Sequence, residues 1–142
     1  MIISDCKREN ISGIYELLKN ELGKNVSFET LENRIDKMLC DSNYKIFVAE
    51  TDNKTIGFIG VHFGLAFEID GKVMRIIALA VKEEYQNKGI GTALVKTAEE
   101  YAMGNDVTVI GVNSGLQRLP AHSFYEKQGF YRKGYSFIKS LE

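Results

Sequence analysis

The residues best suited to grip a phosphate are Gln86-Asn87-Lys88-Gly89-Ile90-Gly91. An apolar run, Ile76 to Val81, precedes them and has the character of a strand buried on both faces. Beyond them Ile90, Leu94, Ala98 and Ala102 recur at every fourth position, which gives a helix one apolar face. Strand, short glycine turn and helix N-terminus together present backbone N–H groups to an anion. Gly89 and Gly91 would let a pyrophosphate reach those amides, where a side chain would hold it away. The plain alternative is a tight strand-to-helix turn with no ligand.

Two familiar glycine loops do not fit. A nucleoside triphosphate loop needs Lys-Ser or Lys-Thr after its last glycine, and Gly91 is followed by Thr92-Ala93. A dinucleotide fingerprint needs a third glycine where Leu94 stands. The pattern Gln86-x-x-Gly89-x-Gly91, set after Leu79-Ala80-Val81 and the bridge Lys82 to Tyr85, resembles the coenzyme A pyrophosphate loop of the GNAT acetyltransferase superfamily. That loop usually begins with Arg or Gln. A second stretch, Arg118 to Phe130, is similar to the superfamily's Ala-x-x-Phe-Tyr-x-x-x-Gly-Phe signature through Ala121, Phe124, Tyr125, Gly129 and Phe130. The phrases Ile56 to His62 and Phe137 to Leu141 resemble the aminoalkylphosphonate acetyltransferases and their small-molecule relatives.

The resemblance implies an N-acetyltransferase that uses acetyl-CoA as cosubstrate and passes the acetyl group directly to a primary amine of a small molecule. Gln86, Asn87, Lys88, Gly89, Ile90, Gly91 and Thr92 would hold the pyrophosphate. Leu79, Ala80 and Val81 would lend backbone groups to the pantetheine arm, and Asn113, Arg118, Phe124 and Tyr125 would complete the coenzyme site. Attack on a thioester makes an oxyanion and expels a thiolate. The N–H of Leu79 or Ala80 would meet the first, and the Tyr125 phenol would protonate the second.

A base for the amine is less evident. Many relatives carry a carboxylate just before the Leu-Ala-Val triplet, where this chain has Ile76, Ile77 and Ala78. His62 is the remaining side-chain candidate, because counting outward from an Asp70-Gly71 turn sets it opposite Leu79. A histidine at the edge of the core, a water relay, or a neutral amine needing no base stand beside that reading. A bulge, which would shift the count, is expected on the resemblance, since members of the superfamily splay this strand.

Other residues have plainer readings. Glu21, Asn25, Phe28 and Glu29 flank the expected acceptor pocket but also suit solvated helix ends. Arg75 could meet an anionic substrate group or be an ordinary strand-surface arginine, and His122 suits capping or packing. His62 and His122, the only histidines, make no metal site, and none is expected. Cys6 and Cys40 match no metal spacing and read as idle thiols of a reducing cytosol; neither is placed to carry an acetyl group. Two other readings stay open: a peptide or protein N-acetyltransferase, and a coenzyme A-binding sensor without catalysis.

The elements that must position these residues follow from the patterning. With 142 residues, 18 Lys+Arg against 19 Asp+Glu, and no candidate linker, the chain is expected to be a single domain, 1–142, with no charge bias toward nucleic acid or membranes. No run is long enough to span a bilayer and the start lacks a signal peptide's regions, so a cytoplasmic protein, monomer or homodimer, is expected. Ile2-Ile3 reads as a strand, Lys7 to Leu22 as a helix, and a second helix capped by Ser27 should bury Leu31, Ile35, Met38 and Leu39. Strands follow at Tyr44–Glu50 and Thr55–Phe67, then the Asp70-Gly71 hairpin into the strand ending at Val81. After the coenzyme helix come a buried strand, Val107–Val112, a helix, Ala121–Lys127, and a closing strand, Tyr135–Lys139. The fold class is α/β (α+β): the GNAT fold, a mixed twisted sheet of about six to seven strands with about four helices on both faces. The resemblance implies that copies could pair through their last strands, for which the aromatic-rich Tyr131 to Phe137 segment could serve.

Overall fold

The computed structural model describes residues 1–114 and 119–142. The chain divides into two compact units, Met1–Gly111 and Val112–Glu142. The first holds strands β1 (Ile2–Asp5), β2 (Tyr44–Thr51), β3 (Lys54–Gly64) and β4 (Lys72–Val81), with helices α1 (Ile11–Asn20), α2 (Phe28–Leu39) and α3 (Ile90–Met103). Strand β5 (Val107–Val112) runs from the first unit into the second, which contains α4 (Leu119–Lys127).

The sheet has five strands in the order β1-β2-β3-β4-β5. Its first three neighbouring pairs are antiparallel. At β4 and β5 the strand starts lie together: the Lys72 N–H donates to the Asp106 carbonyl at 2.8 Å, and the Thr108 hydroxyl donates to the Asp70 carbonyl. Those two strands therefore run the same way, and the sheet is mixed. Asp52 and Asn53 turn β2 into β3 with positive φ at both positions, as a two-residue hairpin turn requires.

Both faces of β2 and β3 are covered, and the alternation of side chains explains how. On one face Ile46, Val48, Phe58 and Ala80 pack with Ile11, Ile14 and Leu17 of α1 and with Leu31 and Ile35 of α2. On the other, Phe47 and Phe63 both meet the ring of Tyr101 on α3, at centroid distances of 5.7 and 5.9 Å. The expected helix from Lys7 starts as a turn of 3-10 helix, Arg8–Asn10, before α1 proper. There the buried Asn10 accepts from the Lys7 N–H at 2.8 Å and donates to the Thr55 hydroxyl at 3.1 Å, pinning α1 to the start of β3. Ser27 caps α2, accepting from the Thr30 N–H at 3.1 Å.

Several expectations are corrected. Strand β3 stops at Gly64 rather than Phe67, leaving Leu65 and Phe67 exposed in the connection to β4. That connection spans residues 65–71, so Asp70-Gly71 is not a two-residue hairpin turn and the register moves with it. His62 faces Arg75, and Leu79 faces Ile59. The expected bulge is present: Gly60 pairs with Ala78 and Val61 with Ile76, so Ile77 is the extra residue of β4. Residues 135–139 form no strand, and Leu39, expected in the core, is exposed. Strand β5, which reads as buried, has no buried residue. Of the two cysteines, Cys6 is buried and Cys40 exposed. Burial pushes the Cys6 thiol up to about 11.

Asn10→Ala should lower stability by about 1–3 kcal/mol, because it strands the Lys7 N–H and the Thr55 hydroxyl at a buried junction. Urea titration against wild type measures this, and an unchanged midpoint would contradict the assignment. Alkylation at about pH 8 should label Cys40 and spare Cys6 until the chain unfolds, since the thiolate is the reactive form. Equal labelling of both cysteines in native protein would contradict it.

Candidate functional site

Past the Ile77 bulge, β4 continues as Ala78, Leu79, Ala80 and Val81. Its last rung is the Lys82 N–H on the Ile56 carbonyl at 2.7 Å. A 3-10 turn, Glu83–Tyr85, follows, and then the chain passes through Asn87 and Gly89, both at positive φ. Gly89 lies at φ 84° in the left-handed region, where L side chains are strained, and it forms the N-cap of α3.

This helix start differs from that of α2. Ser27 gives α2 a side-chain cap, whereas Gly89 can give α3 none. A Cβ built on Gly89 would meet nothing within 4 Å, so the approach to the turn is open. An open approach, a helix N-terminus without a side-chain cap and the positive end of the helix dipole form a ready anion-binding arrangement. Lys88 lies beside the turn with its Nζ 5.6 Å from the Tyr85 ring, and Gln86, Asn87 and Thr92 are exposed around it. Ile90 is buried beneath, anchoring the first turn of the helix in the core.

The sequence did not reveal what holds the turn in place. Glu21, just past the end of α1, accepts from the Glu83 N–H through Oε1 at 3.1 Å and from the Gln86 side-chain amide through Oε2 at 3.3 Å. The same Gln86 amide donates to the Val81 carbonyl at 2.8 Å. One carboxylate thus ties the end of α1 to the turn that leads into α3. Glu21 was read from sequence as a candidate substrate contact. Its partners lie 62 and 65 residues further on, and no local pattern announces that.

Between the end of α1 and the start of α2 lies a hollow of about 340 Å³, lined by Tyr15, Lys19, Lys24, Asn25, Val26 and Ser27. Among the described residues two lysines and no acidic side chain line it, which favours a negatively charged group. Of the other candidates, Asn25 lines this hollow, while Phe28 stacks edge-on against Tyr15 at 5.6 Å. His62 is half-buried beside the Tyr44 ring at 4.8 Å, and Arg75 is exposed on β4.

In the second unit, α4 carries Phe124 and Tyr125, whose rings meet edge-on at 5.4 Å. The helix ends at Lys127, Gly129 follows with φ 95°, and the Phe130 N–H returns to the Tyr125 carbonyl at 3.0 Å. This folds the Phe130 ring against Tyr125 at 5.6 Å. The spacing Phe-Tyr-x-x-x-Gly-Phe is therefore a helix stop that fixes the tyrosine between two aromatic neighbours. Asn113 is exposed, and Arg118 lies outside the described residues.

Strand, glycine turn and helix opening together make an arrangement suited to an anion. A family model described as acetyltransferase (GNAT) family matches residues 11–130. The aminoalkylphosphonate N-acetyltransferase of Salmonella typhimurium is 27% identical over 128 residues, covering 90% of this chain and 80% of that protein. Human N-acetyltransferase 8 is 29% identical over 97 residues, and the match covers 65% of this chain but only 40% of that protein. The crystal structure of a transcriptional regulator from Bacillus halodurans C-125 shares the fold with a TM-score of 0.90 at 18% identity, over 99% of both chains. The chain belongs to the acetyltransferase (GNAT) family and is an acetyl-CoA-dependent N-acetyltransferase. Among the described residues no helix is long and apolar enough to cross a membrane.

Glu21→Ala should raise the KM for acetyl-CoA by about three- to tenfold and change kcat less, since the lost hydrogen bonds hold a binding loop. Steady-state kinetics with acetyl-CoA varied at saturating acceptor would test this. An unchanged KM would show that the turn keeps its shape without Glu21.

Proposed function

We propose that this enzyme, acting as one domain over residues 1–142, acetylates the primary amine of a small, negatively charged molecule in the cytoplasm. The observation that carries the reading is the hollow between α1 and α2. Its lining includes Lys19 and Lys24, its volume suits a small metabolite, and the relative from Salmonella is named for aminoalkylphosphonates, amines that carry an anion. A peptide acceptor would call for a longer open groove.

In this reading the pyrophosphate of acetyl-CoA rests on the amides from Gln86 to Thr92, and the pantetheine arm follows Leu79 to Val81 beyond the bulge. The amine attacks the thioester carbonyl, whose oxygen becomes an oxyanion met by the N–H of Leu79 or Ala80. Collapse of that intermediate breaks the carbon–sulfur bond, and the Tyr125 hydroxyl gives its proton to the departing sulfur. The amine loses its own proton to water. His62 is not needed, because the register that would have set it opposite Leu79 is not the register of the strand.

Direct transfer is favoured over an acetylated enzyme by the state of the cysteines. Burial holds the Cys6 thiol up to about 11, which makes it a poor nucleophile near neutral pH. Cys40 is the exposed C-cap residue of α2.

Release of free coenzyme A should be measured across aminoalkylphosphonates, amino acids, polyamines, aminoglycosides and peptide N-termini. Turnover should be greatest with the anionic small amines, and Tyr125→Phe should lower kcat about 10²-fold at unchanged acetyl-CoA affinity. Preference for peptides would overturn the acceptor assignment, and a fully active Tyr125→Phe would remove the tyrosine from the acid's role. Tight acetyl-CoA binding without turnover on any acceptor would favour a sensor.

A further inference from the structure

Beside the Ile77 bulge the sheet carries a row of polar side chains. Tyr44 pairs with His62, and His62 with Arg75, so three adjacent strands set these residues side by side. Directly opposed residues share a face of the sheet. That face is the one under α1 and α2, because the next residue of β3, Phe63, meets Tyr101 of α3 on the other. The apolar cluster beneath α1 and α2 includes Ile46 and Ala78 but none of the three. Tyr44 and His62 are half-buried, and Arg75 is exposed.

A phenol, an imidazole and a guanidinium therefore stand in line where the helical cover ends. The His62 ring lies 4.8 Å from the Tyr44 ring. On its own strand and face it is flanked by Gly60 and Gly64, which have no side chains. A Cβ at Gly64 would come within 3.6 Å of the imidazole Cε1, and one at Gly60 would touch Ile77 Cγ1 at 3.6 Å. Without them a shallow basin remains on both sides of the ring. Its charge is positive. Arg75 makes no ion pair among the described residues. The carboxylate of Asp41, the acidic residue nearest Tyr44 in the chain, already accepts the Asn43 N–H at 2.8 Å. A guanidinium without a carboxylate, beside two further hydrogen-bond donors, matches an oxyanion.

We propose that Tyr44, His62 and Arg75 form a binding site for a small oxyanion: a phosphate, phosphonate or carboxylate. Arg75 offers two parallel N–H groups, and His62 and Tyr44 offer one donor each. The site is distinct from the lysine-lined hollow. Glu21, between Lys19 and Lys24 in the chain, is bonded to Glu83 and Gln86 beyond the end of β4, whereas Arg75 lies in the first half of that strand. The oxyanion has two sources. As a group on the acceptor it would rest on the proposed acetylation of an anionic amine; as a free anion it would not.

The test is an NMR titration of the full chain with inorganic phosphate and with methylphosphonate, following the imidazole signals. His62 and His122 are the only histidines, and His62→Gln assigns the signal. A bound anion favours the charged imidazole, so the pKa of His62 should rise by about one unit at saturation, and sodium chloride of equal ionic strength should not reproduce the rise. Arg75→Gln should weaken phosphate binding about tenfold and Arg75→Lys less, since an ammonium keeps the charge but loses the fork. Arg75 is exposed, so circular dichroism should show both variants folded. In steady-state assays, phosphate that competes with the acceptor assigns the oxyanion to the acceptor, and phosphate that binds without competing assigns it to a free anion. Absence of turnover on every amine would count against the acetylation reading, while the titration still decides this site. No response of His62, a response matched by chloride, or one unchanged in Arg75→Gln would each overturn the proposal.

Discussion

The turn from β4 into α3 depends on a backbone conformation that only a residue without a side chain adopts freely. Gly89 sits in the left-handed region and begins a helix to which it can give no side-chain cap. Elsewhere in the chain a helix start is closed by its own serine, so the open start of α3 is a local property of this sequence. The core has to hold it steady. Ile90, Leu94, Val95, Ala98 and Ala102 are buried along the helix, and the aromatic contacts of Tyr101 with Phe47 and Phe63 fix its far end. The first turn of α3 can therefore direct its amides at a ligand without fraying.

The parts of this architecture that were legible in the sequence are those coded over short distances. The anion turn, the periodicity of α3 and the Ser27 cap follow from residues within a few positions of one another. So does the helix stop at Gly129, whose meaning is conformational as much as it is a family mark. Register was not legible, because it depends on how many residues a connection spends outside the strands. The Asp-Gly pair looked like a two-residue turn, but β3 released the chain at Gly64, and every pairing beyond moved accordingly. The Ile77 bulge then moved the remainder back by one residue, which left Ile59 and not His62 opposite Leu79.

Long-range polar contacts escaped for a related reason. Glu21 follows an amphipathic helix, where a carboxylate is unremarkable in composition, and its two partners are created only when the sheet brings the turn back to it. The number of strands was overestimated because an alternating apolar segment signals a strand but does not supply the edge it needs. The segment from Tyr131 onward has the pattern without the partner. Electrostatics and thiol chemistry were simpler: near-neutral composition leaves local charge to decide, and the two lysines of the α1–α2 hollow are such a local charge.

The double hydrogen bond of Glu21 has a consequence for how such a protein can change over time. Change in the first two helices would leave the glycine turn untouched if nothing joined the two. Here the end of α1 also supports that turn, so the two regions are not independent modules. A transplant of α1 and α2 from a relative would hold the glycine turn only if a carboxylate arrived at the place of Glu21. Recombination at this boundary is thus constrained by one side chain.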